Sequence, residues 1–103
     1  MDKIAALSEI LKQNPADPFA RYGLAMALAA EARNDDALTE YTTILEHTPD
    51  YVPAFQMSAQ LLLKLSRTEE ARTRLEAGLE AAQRTQNKHA QSELQAMLDD
   101  LGA

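Results

Sequence analysis

The feature that most limits what this chain can fold into is a self-similarity at a fixed offset. Pro18 to Pro49, moved along by 34 positions, falls on Val52 to Gln83. Ala25 lands on Ala59, Leu28 on Leu62, Ala37 on Ala71 and Leu45 on Leu79, while Tyr41 meets Leu75, large apolar on large apolar. A period of this length marks a stacked repeat, in which each copy buries its apolar face on its neighbours, rather than one irregular core.

The order of signals along the chain predicts six helices. The first runs over about Asp2 to Gln13, with Ile4, Leu7, Ile10 and Leu11 on one side, and Asn14-Pro15 closes it. Asp17-Pro18 opens the second, an N-cap followed by a proline in the first turn, which continues to about Glu31. Its sequence FARYGLAMALAA is apolar almost all round, so neighbours should enclose it on several sides. Asn34 is expected to cap the third helix, with Asp35 and Asp36 in the first turn where the helix dipole favours carboxylates; it ends near His47, before Pro49. Asp50 is expected to cap the fourth, which carries Phe55, Met57, Ala59, Leu61, Leu62, Leu63 and Leu65. Thr68 is expected to cap the fifth, with Glu69-Glu70 repeating the acid pair. No proline stops this helix at Gln83, so it should extend to about Arg84. A polar joint, Thr85 to Lys88, leads to a last helix over about His89 to Leu101, apolar on Ala90, Leu94, Met97, Leu98 and Leu101.

Composition agrees with this and removes several functional classes. The 103 residues are rich in Ala, Leu, Gln, Glu, Lys and Arg, the good helix formers, and hold only three Gly and four Pro. The formal net charge of -6 argues against a nucleic-acid partner, which needs a basic footprint, and against an anionic membrane surface. There is no Cys, hence no disulfide, thiolate catalyst or sulfur-ligated metal. The amphipathic stretch Met1 to Leu11 lacks a signal-peptide core, and no apolar run approaches the roughly 20 residues of a membrane span, so a cytoplasmic setting is expected.

Taken together, these residues resemble the tetratricopeptide repeat, a family built on a two-helix unit of about 34 residues. With Pro18 as first position, Leu24-Ala25 stand for the family's Leu-Gly/Ala pair, Leu28 for its large apolar site, Ala37 for the small site opening the second helix, and Tyr41, Ile44 and Pro49 follow. In the second copy Phe55 fills the early aromatic site, and Ala59, Leu62, Ala71, Leu75 and Gly78 follow in register. Arg21 stands where the family has an aromatic, Ser58 where it has Leu, and Gln83 where it has the closing proline. The resemblance implies an all-α fold: a right-handed superhelical stack of antiparallel helix pairs. It would comprise residues 1–15 as an N-terminal half-repeat, 18–51 and 52–85 as two repeats, and 87–103 as a capping helix. It further implies a non-catalytic interaction module that holds a peptide or helix of another protein in a concave groove lined by the first helix of each pair.

One polar line sharpens that expectation. Gln56, Gln60 and Lys64 are four apart on an otherwise apolar helix, and their counterparts one repeat earlier are Tyr22, Met26 and Ala30. By the resemblance both lines face the groove. This makes Tyr22, Met26, Gln56, Gln60 and Lys64 the candidate partner-binding residues, suited to a segment with an apolar anchor and an acidic group near Lys64. The competing reading is that Tyr22 and Met26 pack under the first helix or against Tyr41. Some members of the family clamp a chaperone's C-terminal carboxylate with groove lysines and asparagines. Here the matching places hold Tyr22, Met26 and Met57, so that clamp is not expected.

Catalysis has no candidate. Asp35-Asp36 and Glu69-Glu70 serve helix dipoles, Asp99-Asp100 lies on an outer face, and adjacent residues on a helix do not converge. His47 and His89 lie on different helices, no serine sits in a glycine-flanked elbow, and no glycine-rich phosphate loop exists. No cofactor and no metal are expected. The rival to a partner-binding groove is a self-associating subunit, a homodimer formed through the groove or the repeat ends, since roughly three repeats make a comfortable stack.

Overall fold

Local start and stop signals account for most element boundaries. A computed structural model describes residues 2–102 as α1 (Lys3–Gln13), α2 (Pro18–Ala30), α3 (Asn34–His47), α4 (Val52–Lys64), α5 (Thr68–Arg84) and α6 (Lys88–Asp100), with no strand among the described residues. Asp17 caps α2 as expected, accepting from the N–H of Phe19 at 2.9 Å and of Ala20 at 3.2 Å. Asp2 does the same for α1 through Ile4 N–H, and Asn87 for α6 through Ala90 N–H.

The other three caps are corrected. Asn34 and Thr68 are already the first helical residues of α3 and α5. The N-cap positions are Arg33 and Arg67, and neither makes a side-chain cap bond. Tyr51, not Asp50, stands at the N-cap of α4, and Asp50 instead accepts from Arg84. For α3 and α5 the reason lies in how the preceding helix ends. Ala32 and Ser66 adopt left-handed backbone, φ 61° and 62°. This turns the N–H of Arg33 onto Leu28 C=O and that of Arg67 onto Leu62 C=O, both at 2.9 Å. The arginine side chains then reach forward, Arg33 to Asp36 and Arg67 to Glu70. One residue closes the old helix with its backbone and anchors the new one with its guanidinium. Gln86 (φ 57°) ends α5 in the same way, its successor Asn87 donating to Ala82 C=O.

The chain divides into two compact units between Thr48 and Pro49. In the first, α2 packs on α1 and on α3. Its core side, Ala20, Leu24, Ala25 and Leu28, faces Ala37, Tyr41 and Ile44, all buried. In the second, α5 packs on α4 and on α6. Here Phe55, Ala59, Leu62, Ala71, Leu75 and Leu94 are buried. Ala25 with Ala37 in one unit, and Ala59 with Ala71 in the other, are all fully buried, and their small size lets the paired helices approach. Each fully buried Tyr, Ile or Leu contributes about 1.5–3 kcal/mol through removal of apolar surface from water.

The two units are not copies at one contact. In the second, Gly78 lies so close to Phe55 that an added Cβ would sit 2.7 Å from Phe55 Cβ. The corresponding pair in the first unit is Arg21 and Ile44. Ile44 is 1% exposed, and Arg21 carries its guanidinium out to Glu40 at 2.6 Å and to Pro15 C=O at 2.9 Å. A large aromatic with a glycine in one unit thus corresponds to an outward-reaching arginine with a large aliphatic in the other.

Candidate functional site

The five expected contact residues lie on α2 and α4, each within its own unit. On α2, Tyr22 is half-buried and sets its ring edge-to-face on Tyr41, centroids 6.0 Å apart at 64°. The packing partner of the competing reading is therefore real for Tyr22. Met26 is not packed away in this fashion: 43% of it is exposed. On α4, Gln56 is half-buried while Gln60 and Lys64 are exposed. Lys64 closes α4, where a cation also complements the helix dipole.

Burial raises the Tyr41 phenol pKa to about 12, with the neighbouring Tyr22 adding to the effect. Tyr41 is thus a neutral, structural platform for Tyr22 at any physiological pH. The two hydrogen bonds from Arg67 hold the Glu70 carboxyl below its ordinary range. That pair belongs to the α4–α5 turn and presents no proton donor.

Sequence reasoning passed over Phe19. It begins the outward line of α2 and is 78% exposed. Phe19, Tyr22 and Met26 are at i, i+3 and i+7, the spacing of one helix face. That spacing was legible in FARYGLAMALAA, but the all-round apolarity of the stretch concealed which side would be left open. Ile10 on α1, 48% exposed, lies in a shallow pocket of about 300 Å³ with Glu9, Gln13, Asn14 and Asp17. A second pocket of about 400 Å³ is rich in amides, Gln83, Gln91 and Gln95 with Leu79 and Ser92, between α5 and α6.

Both histidines and one acid of each pair singled out in the sequence are engaged locally. Among the described residues no group of three His, Asp or Glu side chains is placed to hold a metal ion. The His47 ring bonds Thr43 C=O through Nδ1 at 2.9 Å, and His89 lies 3.3 Å from Glu93. Asp36 and Glu70 are engaged by arginines and Asp99 by the Gln95 amide. No described helix is long and apolar enough to cross a membrane.

Helix pairs on a fixed period, small residues at the crossings and a line of accessible side chains along the first helix of each pair define a helical-repeat protein. The tetratricopeptide repeat family description matches residues 4–58 and again 28–98. The chain belongs to the tetratricopeptide repeat family. It is similar to a tetratricopeptide repeat domain protein from Salinibacter ruber. In solution that protein's structure is 30% identical over 86% of this chain and 90% of that one, with a TM-score of 0.82. The crystal structure of the Salinibacter ruber domain aligns at 30% identity over 82% and 94%, TM-score 0.75. The TPR2B domain of yeast Sti1, solved as a complex with pHsp70, shares the fold at 20% identity over 95% and 78%, TM-score 0.87. No curated protein sequence matches the chain.

Proposed function

We propose that this protein is a non-catalytic protein–protein interaction module of the cytoplasm. It would hold a peptide or helix of a partner on the outward faces of its first-of-pair helices: α2 through Tyr22 and Met26, and α4 through Gln56, Gln60 and Lys64. The observation that carries the reading is Met26, a large flexible apolar side chain left 43% exposed beside an aromatic on a helix whose opposite side, Ala20, Leu24, Ala25 and Leu28, is buried. Methionine adapts its shape to an incoming surface, and tyrosine offers a rigid contact with a polar tip. The family fold supports the class, and the complex of the Sti1 domain with pHsp70 shows one protein of this fold holding another. The amides of α4 suit backbone or side-chain amides of a partner, and Lys64 suits a carboxylate.

The test is affinity capture with the intact protein, Met26→Glu and Lys64→Glu, each checked for unchanged helicity and melting. The reading expects a protein held by the intact chain and lost by both variants. A partner retained equally by both, with the fold intact, overturns the assignment of these faces.

A further inference from the structure

The open line of α2 is longer than the two residues assigned above, and its ends are charged in one sense. Phe19, Met26 and Ala30 are all exposed and lie within a narrow arc of the helix. From Phe19 to Ala30 the line is roughly 16 Å long at 1.5 Å per residue. Asp17 stands two residues before Phe19, and Glu31 directly follows Ala30. Glu31 occupies the C-cap, where its carboxylate adds to the negative end of the helix dipole instead of offsetting it. Asp17 lies in the same shallow pocket as Ile10 and Glu9.

Among the described residues no cation pairs with these carboxylates. Up to Thr48 the sequence holds eight carboxylates and four Lys and Arg. Three of the four cations are engaged elsewhere: Lys12 with Glu9, Arg21 with Glu40, and Arg33 with Asp36. Asp17 uses one oxygen, Oδ1, to cap α2. Glu31 makes no ion pair among the described residues. The stripe is therefore apolar along its length and negative at both ends.

From this we propose, resting on the interaction reading, that α2 receives an amphipathic basic segment. Two large apolar side chains would seat on Phe19 and Met26, with Lys or Arg flanking them toward Asp17 and Glu31. Charge separates this occupant from a second copy of the chain. An antiparallel pairing of two α2 helices, with Phe19 against the partner copy's methionine, would set Asp17 close to the other copy's Glu31. A parallel pairing would set like charge on like. Both raise the energy of a dimer through this face.

The test uses two fluorescein-labelled amphipathic peptides of about four helical turns. They carry the same leucines at i, i+3 and i+7 and differ only in lysine or glutamate flanks. Each is titrated by anisotropy against the full chain at low and high salt. The expected result is roughly ten-fold tighter binding of the lysine peptide at low salt, with the preference shrinking as salt rises. Phe19→Ser should weaken the lysine peptide by roughly ten-fold; at 78% exposure the substitution leaves the fold intact, which circular dichroism verifies. The double variant Asp17→Asn, Glu31→Gln keeps an N-cap and removes both charges, and should bring the two peptides to equal affinity. Equal binding by the parent chain overturns the basic class. If Met26→Glu still weakens both peptides, the interaction reading itself stands. No measurable binding of either peptide overturns this proposal, whereas the interaction reading is decided by its own capture experiment. A concentration-dependent doubling of mass in sedimentation, abolished by Phe19→Ser, assigns the face to a second copy and also overturns it.

Discussion

Two helical glycines make opposite predictions from one substitution. Replacing a glycine in a helix interior by alanine gains about 1 kcal/mol, because alanine loses less backbone entropy on folding. At Gly23 of α2 the new methyl would lie 3.5 and 3.6 Å from the methyls of Leu7, an ordinary contact. Gly23→Ala should stabilise by about that 1 kcal/mol. At Gly78 of α5 the methyl would lie 2.7 Å from Phe55 Cβ, 3.2 Å from Phe55 Cγ and 3.5 Å from Leu94 Cδ1. Carbon atoms prefer about 3.5–4.0 Å, so a gap of nearly 1 Å must open. Phe55 Cβ is fixed to the backbone of α4, and no rotamer change moves it; α4 and α5 have to separate. Overpacking of this kind costs about 1–3 kcal/mol, and the upper end applies where backbones must shift. Set against the helix gain of about 1 kcal/mol, Gly78→Ala should destabilise by about 2 kcal/mol. In a chain of this size 1 kcal/mol moves Tm by about 4–8 °C. Gly23→Ala should therefore melt about 4–8 °C higher, and Gly78→Ala roughly 8–16 °C lower. Calorimetry or urea unfolding reads both. A Gly78→Ala protein as stable as the parent refutes the close approach of α4 and α5, and a destabilised Gly23→Ala refutes the open contact with Leu7.

Ala32 and Ser66 hold left-handed backbone at the ends of α2 and α4. Ala32→Gly and Ser66→Gly should each raise stability by about 0.5–1 kcal/mol, read as a higher urea midpoint with unchanged slope. Tyr41 supplies a pH dependence. Its folded pKa of about 12 exceeds the unfolded value of 10.0. Below the unfolded pKa the phenol is neutral in both states and its contribution is intact; as pH rises towards 12 only the unfolded chain ionises, and about 2–3 kcal/mol is lost. Urea unfolding between pH 9 and pH 12 should show this fall in the parent and less of it in Tyr41→Phe. Arg21→Ala should cost about 1.5 kcal/mol, since the Arg21–Glu40 pair is about four-fifths buried on each side and Arg21 also ties down Pro15 C=O. Arg84→Ala should cost about 0.5 kcal/mol or less, because its pair with Asp50 is half in water; an equal loss from the two would refute this ranking.

Much of the fold was legible because it is written in local chemistry. The 34-residue offset, Asp17-Pro18, Asn14-Pro15 and the missing proline at Gln83 placed the helices within a residue or two, including the long α5. What failed was cap identity at Asn34, Asp50 and Thr68. Such residues can cap from sequence alone, but the left-handed turns at Ala32 and Ser66 set the caps of α3 and α5 one residue earlier, while the cap of α4 falls one residue later, at Tyr51, with Asp50 held by Arg84. The signal was present as Arg33 and Arg67, one repeat apart and each three residues before an acid. On the candidate site, the sequence named Tyr22 and Met26 and did not distinguish them. The structure seats Tyr22 against Tyr41 and leaves Met26, and with it Phe19, facing outward.

By itself the sequence determined the family, the number of helices and the small residues at their crossings. Period, turn signals and side-chain size are properties of neighbours in the chain, and they hold wherever the helices finally lie. Only the tertiary structure decided which side of α2 stays open, why Gly78 must be a glycine, and why Arg21 replaces an aromatic. Each of those depends on what a second helix brings to the contact: Phe55 against Gly78, Glu40 across from Arg21, Leu7 and Tyr41 on either side of a stripe they do not cover.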